Sequence, residues 1–96
     1  MKLYGIKSTF FDNSVEITFE EVEKETTKTY RLKNRINTKS YRQIINKDDM
    51  REIHFTPQAA IEMHIKYCQG KIARLEDKLR NAREELANAI KIQSSM

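Results

Sequence analysis

Apolar and polar positions alternate with period two in the first half of the chain and recur every three to four residues in the second. In "SVEITFE", Val15, Ile17 and Phe19 alternate with Glu16, Thr18 and Glu20, the pattern of a half-buried strand. Upstream, Tyr4, Ile6 and Phe10 alternate with Lys7 and Thr9, and Asp12, Asn13 and Ser14 supply turn residues, so the first two strands are expected to form a hairpin. Downstream, Tyr30 and Leu32 share one face while Thr29, Arg31 and Lys33 take the other, with a turn expected through Glu23 to Thr26. That turn would set Glu16 opposite Lys33 and Thr18 opposite Arg31, so that part of the charge balances across strands. Residues 40–45, "SYRQII", are a candidate fourth strand, and "IHF" at 53–55 is a further short apolar piece. An antiparallel meander of three to four strands over residues 1–56 results.

The pattern changes at "FTPQAA". Thr56 is a good N-cap because its hydroxyl can accept from an exposed amide, and Pro57 suits the first helical position, where its missing N–H costs nothing. Phe55 is placed to staple onto Ala60 or Ile61. No Pro follows residue 57, and only Gly70 interrupts good helix formers before "QSSM". Ile61, Ile65, Cys68, Ile72, Leu75, Leu79, Ala82, Leu86 and Ala89 keep a four-three spacing across Gly70, which predicts one helix over about 57–93. The competing arrangement is a break at Gly70 and a two-helix hairpin packed on the sheet. The fold class is α+β, a single domain in which residues 57–96 form a long amphipathic helix.

Length decides what the apolar stripe meets. A helix of about 37 residues is roughly 55 Å long, whereas strands of about six residues give a sheet only some 20 Å tall. Ala60, Ile61, His64, Ile65 and Cys68 can pack on the sheet, but Ile72, Leu75, Leu79, Ala82, Leu86 and Ala89 are left over, and a second chain is the simplest cover. In a parallel in-register pair Lys71 would meet Glu76 favourably, while Lys78 would meet Arg83. In an antiparallel pair with Leu79 opposite Ala82, Ile72 faces Ala89 and Leu75 faces Leu86, Glu76 lies near Arg83, and Lys78 near Glu85. A helix-mediated antiparallel homodimer, or a higher homo-oligomer, is expected.

At 96 residues the chain fits one small domain, which buries only about 60–65% of its unfolded surface and gains from a partner. The net charge of +4 is unevenly placed: residues 26–47 hold seven bases and no acid. Within that window Arg35, Lys39 and Arg42 remain after cross-strand balancing, with Tyr30 and Tyr41 interleaved. Bases beside aromatic rings can follow a phosphate backbone or hold a nucleotide anion. One cysteine cannot form an internal disulfide, and no apolar run reaches the roughly 18 residues of a membrane span, so a cytoplasmic protein that does not enter membranes is expected.

Reaction chemistry is sparse. His64 and Cys68 sit one helical turn apart, but only His54 could add a nitrogen ligand, too few donors for a zinc site. As a nucleophile and base they lack an orienting third group. The chain carries no phosphate loop, nucleophile elbow, dinucleotide glycine fingerprint or zinc-protease helix. No catalytic residue, metal or cofactor is expected, and Glu20, Glu21, Glu23 and Glu25 read as a solvated hairpin tip. In architecture alone, a small sheet followed by one long helix resembles short accessory proteins of phages and mobile elements. The expected function is a non-catalytic homo-oligomer that binds a partner macromolecule, expected to be a protein, with nucleic-acid or nucleotide binding through residues 28–47 as the alternative.

Overall fold

The computed structural model describes every residue except Phe10, so the expectation for Phe10 lies outside the described residues. Four strands, β1 (Lys2–Ser8), β2 (Val15–Glu25), β3 (Thr29–Leu32) and β4 (Ile44–Asn46), precede one helix, α1 (Pro57–Ser94). The sheet is antiparallel throughout, in the order β1-β2-β3-β4. Both the α+β class and the sheet-then-helix order agree with the sequence. The chain divides into two compact units, Met1–Ile65 and Lys66–Met96.

The strand β2 is longer than its alternating stretch suggests, and this moves the pairing. Its first part pairs with β1, matching Tyr4 with Phe19, Ile6 with Ile17 and Lys7 with Glu16. Its last part pairs with β3, matching Val22 with Leu32, Lys24 with Arg31 and Glu25 with Tyr30. Glu16 is therefore not opposite Lys33, nor Thr18 opposite Arg31. The turn lies later than Glu23–Thr26: Thr26 N–H donates to the Thr29 carbonyl at 2.9 Å, and the Thr26 hydroxyl accepts the Thr29 N–H at 3.0 Å. Between Val22 and Lys24 the register shifts at a bulge, which bends a strand and increases its twist. Charge still balances across strands, but through Lys47 with Glu25 at 2.7 Å and Arg31 with Glu23 at 3.9 Å.

The core of the first unit draws on strands and loops alike: Leu3, Tyr30, Leu32, Ile36, Ile45 and Ile53 are buried together, with Val22 and Met50 against them. On β1 the inward residues are Leu3 and Gly5. The apolar set read as the buried face of the hairpin points the other way, and Val15, Ile17 and Phe19 are 46–53% exposed. The physical reason is that alternation marks a strand without saying which side meets the core. Here Ile36 and Ile53, from segments with no periodicity, close over the Leu3 side.

The first turn is an Asp-centred one. Asn13 adopts φ 56°, a left-handed conformation that asparagine tolerates, and Thr9 N–H donates to the Ser14 carbonyl at 3.0 Å. The Asp12 carboxylate accepts the Thr9 hydroxyl and the Ser14 N–H. These bonds, the Thr9 hydroxyl foremost, hold its carboxyl down at about 2 from an ordinary 3.8. A depressed folded-state value stabilises the protein above the unfolded value, and the contribution disappears as pH falls through the folded one. Thermal midpoints of wild type and Asp12→Asn should therefore differ above pH 4 and converge below pH 2. A constant offset at every pH would show that this carboxylate does not support the turn.

Thr56 caps α1 as its sequence position suggests, its hydroxyl accepting the Ala59 N–H at 3.1 Å. Pro57 opens the helix, and Phe55 meets the Tyr30 ring edge-on with centroids 6.1 Å apart. The helix passes Gly70 without interruption, so the two-helix arrangement does not occur. A Cβ at Gly70 would meet nothing within 4 Å. Gly70→Ala is accordingly expected to add up to about 1 kcal/mol of helix stability, read as a higher melting midpoint of the far-ultraviolet circular dichroism signal. A lower midpoint would mean that this site needs glycine for a reason other than space.

Candidate functional site

Two features stand apart from the core, one in each unit. In Lys66–Met96, Cys68 is half-buried and every other residue is exposed. Ile72, Leu75, Leu79 and Leu86 lie on one continuous helix with 51–61% of each exposed, and Ala82 and Ala89 complete the same seam. The opposite side is polar and tied along the helix, as where Arg80 donates to Asp77 at 2.9 Å.

The basic segment is less uniform than its sequence. Tyr30 is buried in the core, with the Lys47 ammonium 4.8 Å from its ring centre and Phe55 on its edge, so it stacks on the fold itself. Arg42 is committed as well. Its Nη1 donates to the Asp49 carbonyl at 3.0 Å, its Nη2 to the Arg51 carbonyl at 2.8 Å, and its Nε to Ser40 Oγ at 3.3 Å. These bonds pin the 49–51 loop. Arg42→Met keeps the aliphatic stem but leaves two carbonyls without their charged donor, and should lower stability by about 1–2 kcal/mol. By contrast, exposed Arg35→Gln should stay within about 0.5 kcal/mol of wild type. Equal chemical-denaturation midpoints for the two variants would contradict this division.

Arg35, Lys39 and Tyr41 remain at the surface. The Arg35 guanidinium lies 5.7 Å from the Tyr41 ring centre, a cation–π distance, and Tyr41 is held at φ 47° in a turn closed by its N–H on the Thr38 carbonyl. Beside them Lys39, Ser40, Arg42, Asp49, Arg51 and Glu52 line an open depression of about 390 Å³. Its charges are largely matched internally. Arg51 grips Asp49 with contacts of 2.8 and 3.3 Å, and Ser40 donates to Glu52 at 3.1 Å. The Arg51 hydrogen bond draws the Asp49 carboxyl below its usual range, and Asp49 in turn raises the Arg51 guanidinium.

His64 and Cys68 are both half-buried on α1. Among the described residues no group of three or more His, Cys, Asp or Glu side chains is placed to hold a metal ion. Nor is any helix among them long and apolar enough to cross a membrane. Comparison with protein-family models, curated proteins and solved structures finds no match.

Proposed function

We propose that this chain is a non-catalytic, self-associating interaction protein. The seam of α1 pairs with a second copy, and the exposed bases of the first unit engage a partner macromolecule. The observation that carries this reading is the bare seam: Ile72, Leu75, Leu79 and Leu86 keep about half of their surface in water along some four helical turns. Covering that remainder would contribute roughly 1–1.5 kcal/mol for each side chain. A second copy supplies an identical seam, and the antiparallel register with Leu79 opposite Ala82 sets large against small and Glu76 near Arg83. An accessory role of the phage or mobile-element kind suits a chain with two exposed apolar or basic surfaces.

Cysteine cross-linking in a Cys68→Ser background tests the pairing and its direction. Antiparallel pairing predicts that Leu79→Cys protein mixed with Ala82→Cys protein gives a mixed disulfide-linked dimer, while each alone gives little. Efficient linking of Leu79→Cys to itself would instead show parallel helices, and no linking in any mixture would remove the helix-paired dimer.

A second reading, an anion or nucleic-acid binder, is favoured by one observation, the exposed Tyr41 ring under Arg35 with Lys39 nearby in sequence. Since Arg42 supports the loop, Arg35→Glu/Lys39→Glu is the informative variant. Titration of labelled DNA and RNA at two salt concentrations should show wild-type binding that weakens with salt and is lost in the variant. Absence of wild-type binding at low salt removes this reading.

A further inference from the structure

The outer face of the β1–β2 hairpin is a second apolar surface. Register places Tyr4 beside Phe19, Ile6 beside Ile17 and Ser8 beside Val15, all on the side opposite Leu3 and Gly5. Tyr4 and Ile6 are half-buried, while Val15, Ile17 and Phe19 are exposed. At one end the Lys2 ammonium sits 4.6 Å from the Phe19 ring centre, and Lys2 is the cross-strand partner of Glu21.

The geometry points to a second copy of this hairpin as the occupant, packed face to face about a two-fold axis parallel to the strands. Such an axis lays β1 of one copy over β2 of the other at equal height. Tyr4 then meets the other copy's Phe19, and Ile6 its Ile17. Lys2 meets the opposing Glu21, twice by symmetry. The apolar rows coincide and both end charges find opposite signs, with the two sheets aligned about 10 Å apart. A polar or uniformly charged partner would satisfy neither the row nor the Lys2/Glu21 pair.

Area sets the strength of this contact. The patch is on the order of 300–400 Å², about as large as a monomer ordinarily leaves bare, and roughly half of the 800 Å² or so that each partner gives to a standard interface. It forms in an assembly already concentrated by another contact. The inference thus rests on the helix pairing proposed above, and two different two-fold contacts on one chain join pairs into tetramers or longer chains.

Light scattering across a concentration series, on wild type, Ile17→Glu and Leu79→Asp, tests the inference, with Ile17→Thr as the variant that keeps a β-branched residue in the strand. The wild-type mass should rise beyond a dimer into the hundred-micromolar range, while Ile17→Glu and Ile17→Thr stop at the dimer. Lys2→Glu should weaken the second step about tenfold, and Lys2→Glu/Glu21→Lys should restore it. If both Ile17 variants match wild type at every concentration, the hairpin contact is wrong and the face belongs to another partner. If Leu79→Asp and Ile17→Glu are both monomeric throughout, the seam of one copy covers the sheet of the other, which also overturns it. If only Leu79→Asp is without effect, the helix pairing fails and the hairpin contact stands alone.

Discussion

Leu79→Asp is expected to turn a self-associated protein into a monomer and to remove part of its helical signal. In the proposed antiparallel register the residue would lie near the centre of the seam, opposite Ala82, and each dimer would contain it twice. Each copy loses a leucine whose exposed half is worth about 1–1.5 kcal/mol when covered and gains a carboxylate that must shed water on pairing. A combined loss of about 4–8 kcal/mol weakens dimerisation by roughly three to six orders of magnitude. The effect on helix content follows from the same contact. A helical segment in water without packing is marginal, since nucleation is costly and little beyond propensity sustains it. The Arg80–Asp77 pair on this segment is exposed and adds at most a few tenths of a kcal/mol. Wild-type circular dichroism at 222 nm should accordingly strengthen with protein concentration, and the variant's should not. Identical masses for wild type and Leu79→Asp across that range would remove the helix-paired reading.

The helix was legible because several local signals agree. Thr56 and Pro57 mark its start, the apolar spacing carries through Gly70, and neither feature depends on distant parts of the chain. The sheet was legible as strands but not as a register. Alternation of Val15, Ile17 and Phe19 identifies a strand equally well whichever face is buried, and the deciding groups, Ile36 and Ile53, lie in segments without a period. The pairing of β2 with β3 was obscured by the bulge between Val22 and Lys24 and by a threonine-capped turn. The surface candidates divide for a related reason. Sequence lists bases and rings, but only tertiary contacts reveal that Tyr30 fills the core and Arg42 ties down the 49–51 loop. The exposed Arg35–Tyr41 pair needs the left-handed turn at Tyr41, which no propensity of tyrosine would suggest.

Gly5→Ala should destabilise the first unit even though it replaces a residue that strands disfavour. Gly5 is buried on the inner side of β1, and it has no left-handed backbone to explain its identity. Space explains it. An added Cβ would overlap Thr38 Cγ2, lie 3.2 Å from the Glu52 carbonyl oxygen and 3.6 Å from Ile36 Cδ1. Thr38 cannot withdraw easily, because it is itself buried and its backbone both donates to Ile36 and accepts from Tyr41. Overpacking of this kind costs about 1–3 kcal/mol, which lowers the thermal midpoint of a unit this small by roughly 5–20 °C. Valine at the same position should cost more. The mechanism makes a sharper demand on the double variant Gly5→Ala/Thr38→Ser, in which the obstructing methyl is gone while the hydroxyl remains. Thr38→Ser alone loses about 0.8 kcal/mol for one buried methyl, yet in the Gly5→Ala background it should restore stability, a coupling of about 1–2 kcal/mol. If instead the two losses simply add, the loop at 36–38 does not close against β1 at this point, and some other feature holds Ile36 in the core.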